Sequence, residues 1–278
     1  MITKIIQISD VHIRNFTRAR EYQEQLNKLF NLCKDIVKGN GVEHTRIVVC
    51  GDILHGKTEI SPEGYAMASW FLKNLDKICT TIVFSGNHDI NTGNSNNRLD
   101  PLSVIFSMSS FTQTHYLDKD LGYKSGLVED DNIMWCLYSV FDRFAKPVNL
   151  AESYINNKDG KTFIGLFHGE LKNAVTNTGY VSENGTDTAY FDNIDFGLLG
   201  HLHRRQVIKN NGVPLVYAGS VIQQEHGENI SKHGFLVWDV ENQTFEEVDI
   251  DNPDNGFYTF EINAESDIDE DLEEVINL

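Results

Sequence analysis

Two histidines stand one residue apart at the end of an apolar run, in the stretch DFGLLGHLHRR at residues 195–205. Side chains at alternate positions of an extended chain point to the same side, so His201 and His203 can reach one metal ion together. Arg204 and Arg205 follow directly. The spacing predicts a metal-binding strand end.

Four other apolar runs end in similar polar groups. These are Ser9-Asp10-Val11-His12, Gly51-Asp52-Ile53-Leu54-His55, Gly86-Asn87-His88-Asp89 and His168-Gly169-Glu170. Each group alone is more typical of an ordinary turn or a surface histidine. Together, however, the five stretches contain six of the ten histidines in the chain, and this co-occurrence favours a site.

The candidate metal ligands are carboxylates, imidazoles and one amide, with no thiolate. They are Asp10, His12, Asp52, Asn87, His168, His201 and His203. This donor set suits manganese best, with iron, magnesium and zinc as alternatives. Seven ligands suit two ions that share one carboxylate, and such a pair clamps a phosphoryl group and activates the attacking water. The predicted chemistry is hydrolysis at phosphorus.

The elements that must position these residues alternate between strand-like and helix-like patterns. A helix with an apolar face from Leu26 to Val37 separates the first two strands, and another, which begins at Ser61-Pro62, separates the next two. This order implies parallel strands with helices packed on the sheet. Because ligands bind at the carboxyl ends of such strands, the five polar stretches should converge.

The pattern changes after His203. The stretch QVIKNNGVPLVYAGS indicates a hairpin about Asn211-Gly212, and GFLVWDV with FEEVDI indicates a second hairpin. We therefore expect a second, more antiparallel sheet packed against the first, in an α/β fold. No linker divides the chain.

Composition excludes several classes of protein. The 278 residues begin without a signal-type apolar segment, and no run approaches the ~20 apolar residues of a membrane helix. We expect a cytoplasmic protein with no membrane partner. Four widely spaced cysteines within apolar patterns indicate small core residues in a reduced setting.

The negative net charge does not exclude a nucleic-acid partner, because it is unevenly distributed. Of the 41 acidic residues, 15 lie from Asp239 onward, where there is no Lys or Arg, which leaves 26 acids and 23 bases in residues 1–238. The body is nearly neutral. Arginines cluster after two of the polar stretches and are candidates for phosphate contacts, namely Arg14, Arg18, Arg204 and Arg205.

The five polar stretches, in this order, resemble the calcineurin-like metallophosphoesterases, over a span from Ile5 to Ser220. The resemblance implies a two-sheet β-sandwich flanked by helices, in four α/β/β/α layers. It also implies two ion sites that share Asp52. The first would use Asp10, His12, Asp52 and His203, and the second Asp52, Asn87, His168 and His201.

Within that family, GDILHG and LVYAGSVIQQEHGE are similar to the DNA double-strand-break-repair exonucleases, which include the SbcD-type bacterial nuclease, its phage counterpart and the meiotic recombination nuclease. The similarity implies a DNA substrate, an ABC-type ATPase partner, a homodimer, and a bacterial or phage-infected cell. His88 would contact the phosphate and protonate or steady the leaving oxygen, and Asp89 would orient the His88 ring. His55 would either support the metal ligands from behind or face the substrate.

Two alternatives remain open. The chain could be a stand-alone phosphodiesterase or nucleotidase for small nucleotides, or a non-catalytic scaffold protein stabilised by metal. We expect a nuclease domain over residues 1–263 and an acidic helix or tail over residues 264–278, in which one helical face carries Ile268, Leu272, Val275 and Ile276. This tail would begin a cap or partner-binding region, dock on the body, or stay disordered.

Overall fold

Two six-stranded sheets face each other across a layer of buried side chains. The computed structural model describes residues 1–15, 17–90, 100–142, 160–176 and 178–257. The strands are β1 (Lys4–Ile8), β2 (Thr45–Cys50), β3 (Thr81–Phe84), β4 (Thr114–Tyr116), β5 (Gly126–Asp130), β6 (Ile133–Tyr138), β7 (Thr162–His168), β8 (Phe196–Gly200), β9 (Gln206–Asn210), β10 (Val213–Tyr217), β11 (Gly234–Asp239) and β12 (Thr244–Asp249). The α-helices are α1 (Ala19–Asn40), α2 (Pro62–Asp76), α3 (Pro101–Met108) and α4 (Leu117–Asp120).

The first sheet has the strand order β12-β11-β1-β2-β3-β4 and is parallel from β1 to β4. Helix α1 connects β1 to β2, and α2 connects β2 to β3, as the sequence pattern predicts. The apolar face of α1 is buried against the sheet. Helix α2 begins with Pro62, and the Ser61 hydroxyl accepts a hydrogen bond from the Gly64 amide at 3.1 Å, which caps the helix.

The second sheet has the order β5-β6-β7-β8-β10-β9, and its four central strands are parallel. The predicted hairpin about Asn211-Gly212 is confirmed, because β9 and β10 pair in antiparallel register on either side of it. Both turn residues have positive φ, 49° for Asn211 and 93° for Gly212, as a tight two-residue hairpin requires.

The second sheet is mixed, with antiparallel pairs at its two edges, and so it is not more antiparallel than the first sheet, contrary to the expectation. The expected place of the second hairpin is also wrong. Strands β11 and β12 do pair, but β11 joins the first sheet, antiparallel to β1. The burial of the two strands explains why β11 joins the first sheet. Five of the six residues of β11 are buried, whereas β12 is mostly exposed. A strand buried on both faces needs neighbours on both sides, and a position between β1 and β12 provides them.

Apolar side chains from both sheets fill the layer between them. Trp238 on β11 stacks on Phe196 of β8, with ring centroids 4.5 Å apart. Helices α1, α2 and α3 cover the outer face of the first sheet. The outer face of the second packs against the segment that follows β7, which includes a short 3-10 helix at Thr188–Phe191. The predicted two-sheet sandwich flanked by helices is confirmed.

The cysteines agree with their prediction as core residues. Cys33, Cys50, Cys79 and Cys136 are all buried and form no disulfide. Among the described residues, no helix combines the length and apolar character needed to cross a membrane. The predicted boundary at residue 263 and the acidic tail at residues 264–278 lie outside the described residues.

Candidate metal centre

The polar stretches meet at one edge of the sandwich, where strands of both sheets end. Strands β1, β2 and β3 deliver their C-terminal residues from the first sheet, and β7 and β8 deliver theirs from the second. The predicted convergence therefore occurs. It also places the group of polar side chains at the junction between the two sheets, where neither sheet alone could assemble it.

Sharp backbone turns bring these side chains into the junction. Asp10, His12 and Asp52 have φ of 51°, 49° and 51°, and His201 has φ of 105°. Such conformations cost residues other than glycine roughly 1–3 kcal/mol each and persist where the surrounding structure holds them. Four of them in the same small region indicate that the fold gives up stability to place these groups.

Asp10, His12 and His203 form the first group that could hold a metal ion. The Nε2 atoms of His12 and His203 lie 2.9 Å apart, and Nε2 of His12 is 3.8 Å from Oδ1 of Asp10. Burial lowers the pKa of His12 well below its usual value, so its ring is neutral and can offer a lone pair. The left-handed backbone conformation of Asp10 and His12 and the burial of their side chains are thus more typical of metal ligands than of surface residues.

Asp52, His168 and His201 form the second group, and Asn87 lies between its two rings. Oδ1 of Asn87 is 3.2 Å from Nε2 of His168 and 2.8 Å from Nδ1 of His201. Burial, with a smaller effect from the neighbouring His168, lowers the pKa of His201 to about 4. Carboxylate, amide and imidazole donors thus face one small volume.

The carboxylate of Asp52 lies between the two groups. Its Oδ2 atom is 3.5 Å from Nε2 of His12 and 3.2 Å from Nε2 of His168. Burial alone would raise the pKa of Asp52, but the charge and hydrogen bond of His168 hold it below its usual value. In return, Asp52 raises the pKa of His168 to about 9 against the effect of burial. Asp52 therefore keeps its negative charge in a buried position, as a carboxylate that holds a cation must.

Two positions near Asp52 require glycine, because neighbouring atoms lie too close to leave room for a Cβ atom. A Cβ at Gly86 would lie 2.1 Å from Oδ1 of Asp52, and a Cβ at Gly51 would lie 2.5 Å from Nδ1 of His168. Gly51 also has φ of +80°. Only residues without a side chain fit at these two positions, so the glycines that follow β2 and β3 are needed to build the site.

His88 and His55 lie beside the first group, with their rings stacked on each other and the ring centroids 5.3 Å apart. The backbone N–H of His88 donates to Oδ1 of Asp52 at 2.7 Å, and its Nδ1 is 2.6 Å from the carbonyl oxygen of His55. These contacts orient the ring so that Nε2 is its remaining polar atom. Arg14 lies behind His55, 3.1 Å from its Nε2 atom, and burial followed by the Arg14 charge lowers the pKa of His55 to about 4.

Asp89 does not orient the His88 ring. Its fully buried carboxylate instead accepts hydrogen bonds from the backbone amides of Leu54 at 3.0 Å, Gly86 at 3.0 Å and Ile53 at 3.3 Å. The predicted role is replaced by another: Asp89 joins the loop after β3 to the loop after β2. Indirectly, it holds Asp52 and Asn87 in their relative positions.

The four candidate arginines differ in their surroundings. Arg14 reaches the site through His55, and Arg204 is exposed at its border. Arg18 is paired with Glu21 at 2.6 Å, and Arg205 is paired with Glu247 and Asp249 at 2.7 and 2.8 Å. Within the described residues, Arg14 and Arg204 therefore lie near the centre without an acidic partner, whereas Arg18 and Arg205 are paired with carboxylates.

Two residues that the sequence analysis did not identify contact candidate site residues: Glu228 contacts His203, and Gln224 contacts Arg14. Glu228 is almost fully buried, and its Oε1 atom lies 2.6 Å from Nδ1 of His203. Gln224 accepts from Arg14 and donates to the carbonyl oxygen of Val11 at 3.2 Å. Both lie in an irregular segment after β10, where no periodic pattern marks them. The nearest signal was the acidic turn in QQEHGE.

Comparisons with known proteins agree with this geometry. The profile of the calcineurin-like phosphoesterase superfamily domain matches residues 3–243. A mimivirus protein, uncharacterized protein R555 of Acanthamoeba polyphaga mimivirus, is 36% identical over 94% of this chain, which spans only 19% of that protein. The SbcD component of the nuclease SbcCD from Staphylococcus epidermidis is 24% identical over 86% of this chain and 66% of its own length.

A putative phosphoesterase, 244L, of invertebrate iridescent virus 6 is 26% identical over 84% of this chain and 75% of its own length. Among solved structures, a purple acid phosphatase from yellow lupin seeds superposes with a TM-score of 0.51 at 16% identity, over 85% of this chain and 49% of that one. At this identity the superposition supports the fold alone.

Proposed function

Because the chain belongs to the calcineurin-like phosphoesterase superfamily, we propose that it hydrolyses phosphodiester bonds with two divalent metal ions. The observation that carries the proposal is the position of Asp52 Oδ2, within 3.5 Å of a ring nitrogen from each ligand group. A single carboxylate placed in this way serves two ions at once. Two adjacent ions supply charge neutralisation at the phosphate and activate the attacking water.

The ligand assignment follows from the two groups. Asp10, His12 and His203 would hold one ion, Asn87, His168 and His201 the other, and Asp52 both. The residues fit such ions because all are nitrogen or oxygen donors, converge from five strand ends and are at least partly buried. Manganese suits this mixture of imidazole and carboxylate best, with iron, magnesium and zinc as alternatives.

Three residues of the chain would act on the substrate directly or through a neighbour. His88 would face the phosphate through Nε2, because its Nδ1–H donates to the His55 carbonyl. In the doubly protonated ring, Nε2 would give its proton to the leaving oxygen and keep the Nδ1 proton on the carbonyl. His55 keeps the His88 ring in place by stacking. Arg14 adds positive charge behind His55 and would attract a phosphate backbone.

We further propose that the substrate is DNA and that the chain is the nuclease component of a recombination or repair assembly. The SbcD component of the nuclease SbcCD supports this, because its similarity extends over 86% of the chain. An ABC-type ATPase would be the partner. Two relatives are viral proteins, which supports action in an infected host cell. A homodimer would use the surface of α2 and α3, where Met108 is 81% exposed beside Tyr65.

Hydrolysis of small nucleotides is the alternative proposal, and the strongly acidic composition favours it, since a net charge of −18 opposes binding of a polyanion. A metal-stabilised scaffold without activity is a third. The three proposals can be distinguished by which substrates the chain hydrolyses and by a variant of the metal ligand Asp52.

The test is hydrolysis by the purified chain with Mn²⁺ of linear double-stranded DNA, single-stranded DNA and bis-p-nitrophenyl phosphate. Asp52→Ala should abolish every activity, and Asp35→Ala, an exposed acid on α1, should abolish none. DNA degradation supports the nuclease. Turnover of the small ester with intact DNA supports the small-nucleotide enzyme instead, and no turnover of any substrate would refute hydrolysis and leave the scaffold.

A further inference from the structure

A cavity of about 220 Å³ opens beside the metal centre on the His203 side. Its lining residues come from the turn after β8 and from the segment before β11, and include His203, Arg204, Arg205, Glu228, Lys232 and His233. The cavity therefore shares His203 and Glu228 with the proposed site. None of its other lining residues belongs to either ligand group.

The cavity carries positive charge in a strongly acidic protein. Arg204 and Lys232 are exposed at its border, and neither forms an ion pair with any residue within the described ranges. Glu228 is its acidic member, but that carboxylate is already engaged by His203 and by the Gln224 amide. The charges that remain for a ligand are cationic.

Arg205, one of the residues that line the cavity, carries a buried donor without a partner among the described residues. The side chain of Arg205 is only 6% exposed, and its Nη2 atom has no hydrogen-bond partner among the described residues. Its Nη1 atom, in contrast, binds both Glu247 and Asp249. Because Nη2 has almost no exposed surface, an anion in the cavity would accept its hydrogen bond after a small shift of the Arg205 side chain, and that contact would remove the cost of the unpaired donor.

The backbone conformation of Lys232 also supports a ligand site in this cavity. Its φ is 70°, a left-handed conformation that a lysine adopts at a cost and that is found in excess at ligand sites. The cavity is smaller than the roughly 300–1,000 Å³ typical of sites for drug-sized ligands. Its size and charge suit one phosphate group better than a whole nucleotide.

We propose that this cavity binds the phosphate adjacent to the one being hydrolysed, so that the enzyme prefers esters with two neighbouring phosphates. The inference rests on the proposed hydrolysis at the metal centre. It deepens that function by specifying the substrate class: a nucleotide chain, or a nucleotide with phosphates on both sides of the sugar, in preference to an isolated diester.

The first test compares thymidine dinucleotides with Mn²⁺: TpT, TpT with an added 5′-phosphate, and TpT with an added 3′-phosphate. One phosphorylated form should have a kcat/KM about tenfold or more above that of TpT, as expected for new charge-assisted hydrogen bonds. In the double variant Arg204→Ala/Lys232→Ala this ratio should fall close to one. In Lys209→Ala, an exposed lysine on β9 outside the cavity, the ratio should persist.

A binding measurement keeps the inference separate from catalysis. Calorimetric titration should show that thymidine 3′,5′-bisphosphate binds about tenfold or more tightly than thymidine 5′-monophosphate, and that the double variant loses the difference. Hydrolysis of TpT without any preference, together with equal binding of the two nucleotides, would overturn the inference while the proposed function stands. A preference in binding without hydrolysis of any ester would refute the proposed function and leave the cavity as a phosphate site.

Discussion

The carboxylate of Glu228 lies 2.6 Å from Nδ1 of His203 and thereby determines which nitrogen of that ring faces the candidate metal centre. An acceptor at Nδ1 places the ring proton there and leaves Nε2, which faces His12, with its lone pair. The Glu228 hydrogen bond raises the pKa of His203 in spite of burial. Carboxylates in this position orient metal-binding histidines and make them better donors.

Removal of that carboxylate should weaken metal binding. Glu228→Ala is expected to reduce Mn²⁺ affinity about 10- to 100-fold, because the ring of His203 loses its orientation and its proton acceptor. Glu228→Gln, which retains an acceptor oxygen, should lose less. Calorimetric titration with Mn²⁺ measures this, and Glu246→Ala on exposed β12 is the control. Equal affinity in Glu228→Ala and the control would contradict the role.

His88 should matter for turnover and not for metal binding. We expect His88→Ala to lower kcat by roughly 10²- to 10⁴-fold, the usual contribution of a general acid. Its contact with Asp52 is made by the backbone N–H, which alanine retains, so Mn²⁺ affinity should stay near that of the wild type. His115→Ala, an exposed histidine on β4, is the matched control. A large fall in Mn²⁺ affinity would assign His88 a ligand role instead.

Gly86→Ala should disrupt the site through a single methyl group. The new Cβ would lie 2.1 Å from Oδ1 of Asp52 and 2.5 Å from its backbone nitrogen, so the carboxylate or the loop must move. We expect loss of Mn²⁺ binding and of activity in a protein that still folds. Gly39→Ala, in α1 with open space around the added group, should instead raise stability by about 0.5–1 kcal/mol. Thermal unfolding with and without Mn²⁺ compares the two, and normal Mn²⁺ binding by Gly86→Ala would contradict the expectation.

The titration of the Asp118 carboxyl group should make the free energy of unfolding fall as pH rises. Its carboxyl group is buried, accepts from the Ser85 amide at 2.7 Å and contacts the Ser139 hydroxyl, and burial raises its pKa to about 6. A pKa raised above the unfolded value of about 3.9 means that the folded state holds its proton longer, so the contribution is greatest at low pH and is lost between about pH 4 and pH 6. The loss is on the order of 2–3 kcal/mol.

Asp118→Asn removes this titration and retains the hydrogen-bonding shape. Urea unfolding at about pH 4.5 and about pH 7 should show the variant gaining stability relative to the wild type as pH rises, by roughly 2 kcal/mol. A constant difference between the two proteins across this range would show that the carboxyl group titrates alike in the folded and unfolded states.

Local patterns were sufficient to predict the strand ends and the residues that meet there. His201 and His203, for example, follow an apolar run and a glycine, and this arrangement is visible without knowledge of the fold. The partners of buried carboxylates were not predictable in the same way. Asp89 binds amides of Ile53 and Leu54, some 35 residues away, and only the folded chain shows which donors need an acceptor.

Glu228 escaped prediction for a related reason. It follows His203 by 25 residues in a segment without helical or strand periodicity, so its contact depends on the path of a loop. The placement of β11 beside β1 likewise depends on long-range pairing. The local sequence of a hairpin determines how its own two strands pair, but it does not determine which sheet the hairpin joins.

The position of the ligand groups at the junction of the sheets has a mechanical consequence. Asp10, His12 and Asp52 belong to one sheet and His168, His201 and His203 to the other, so each ion would connect the two halves of the sandwich as a cross-link. An ion that binds only the assembled halves stabilises them by about 2.7 kcal/mol when its concentration is a hundred times its dissociation constant. Metal supply would then govern not only how fast this protein works but also how long it survives heat and proteolysis.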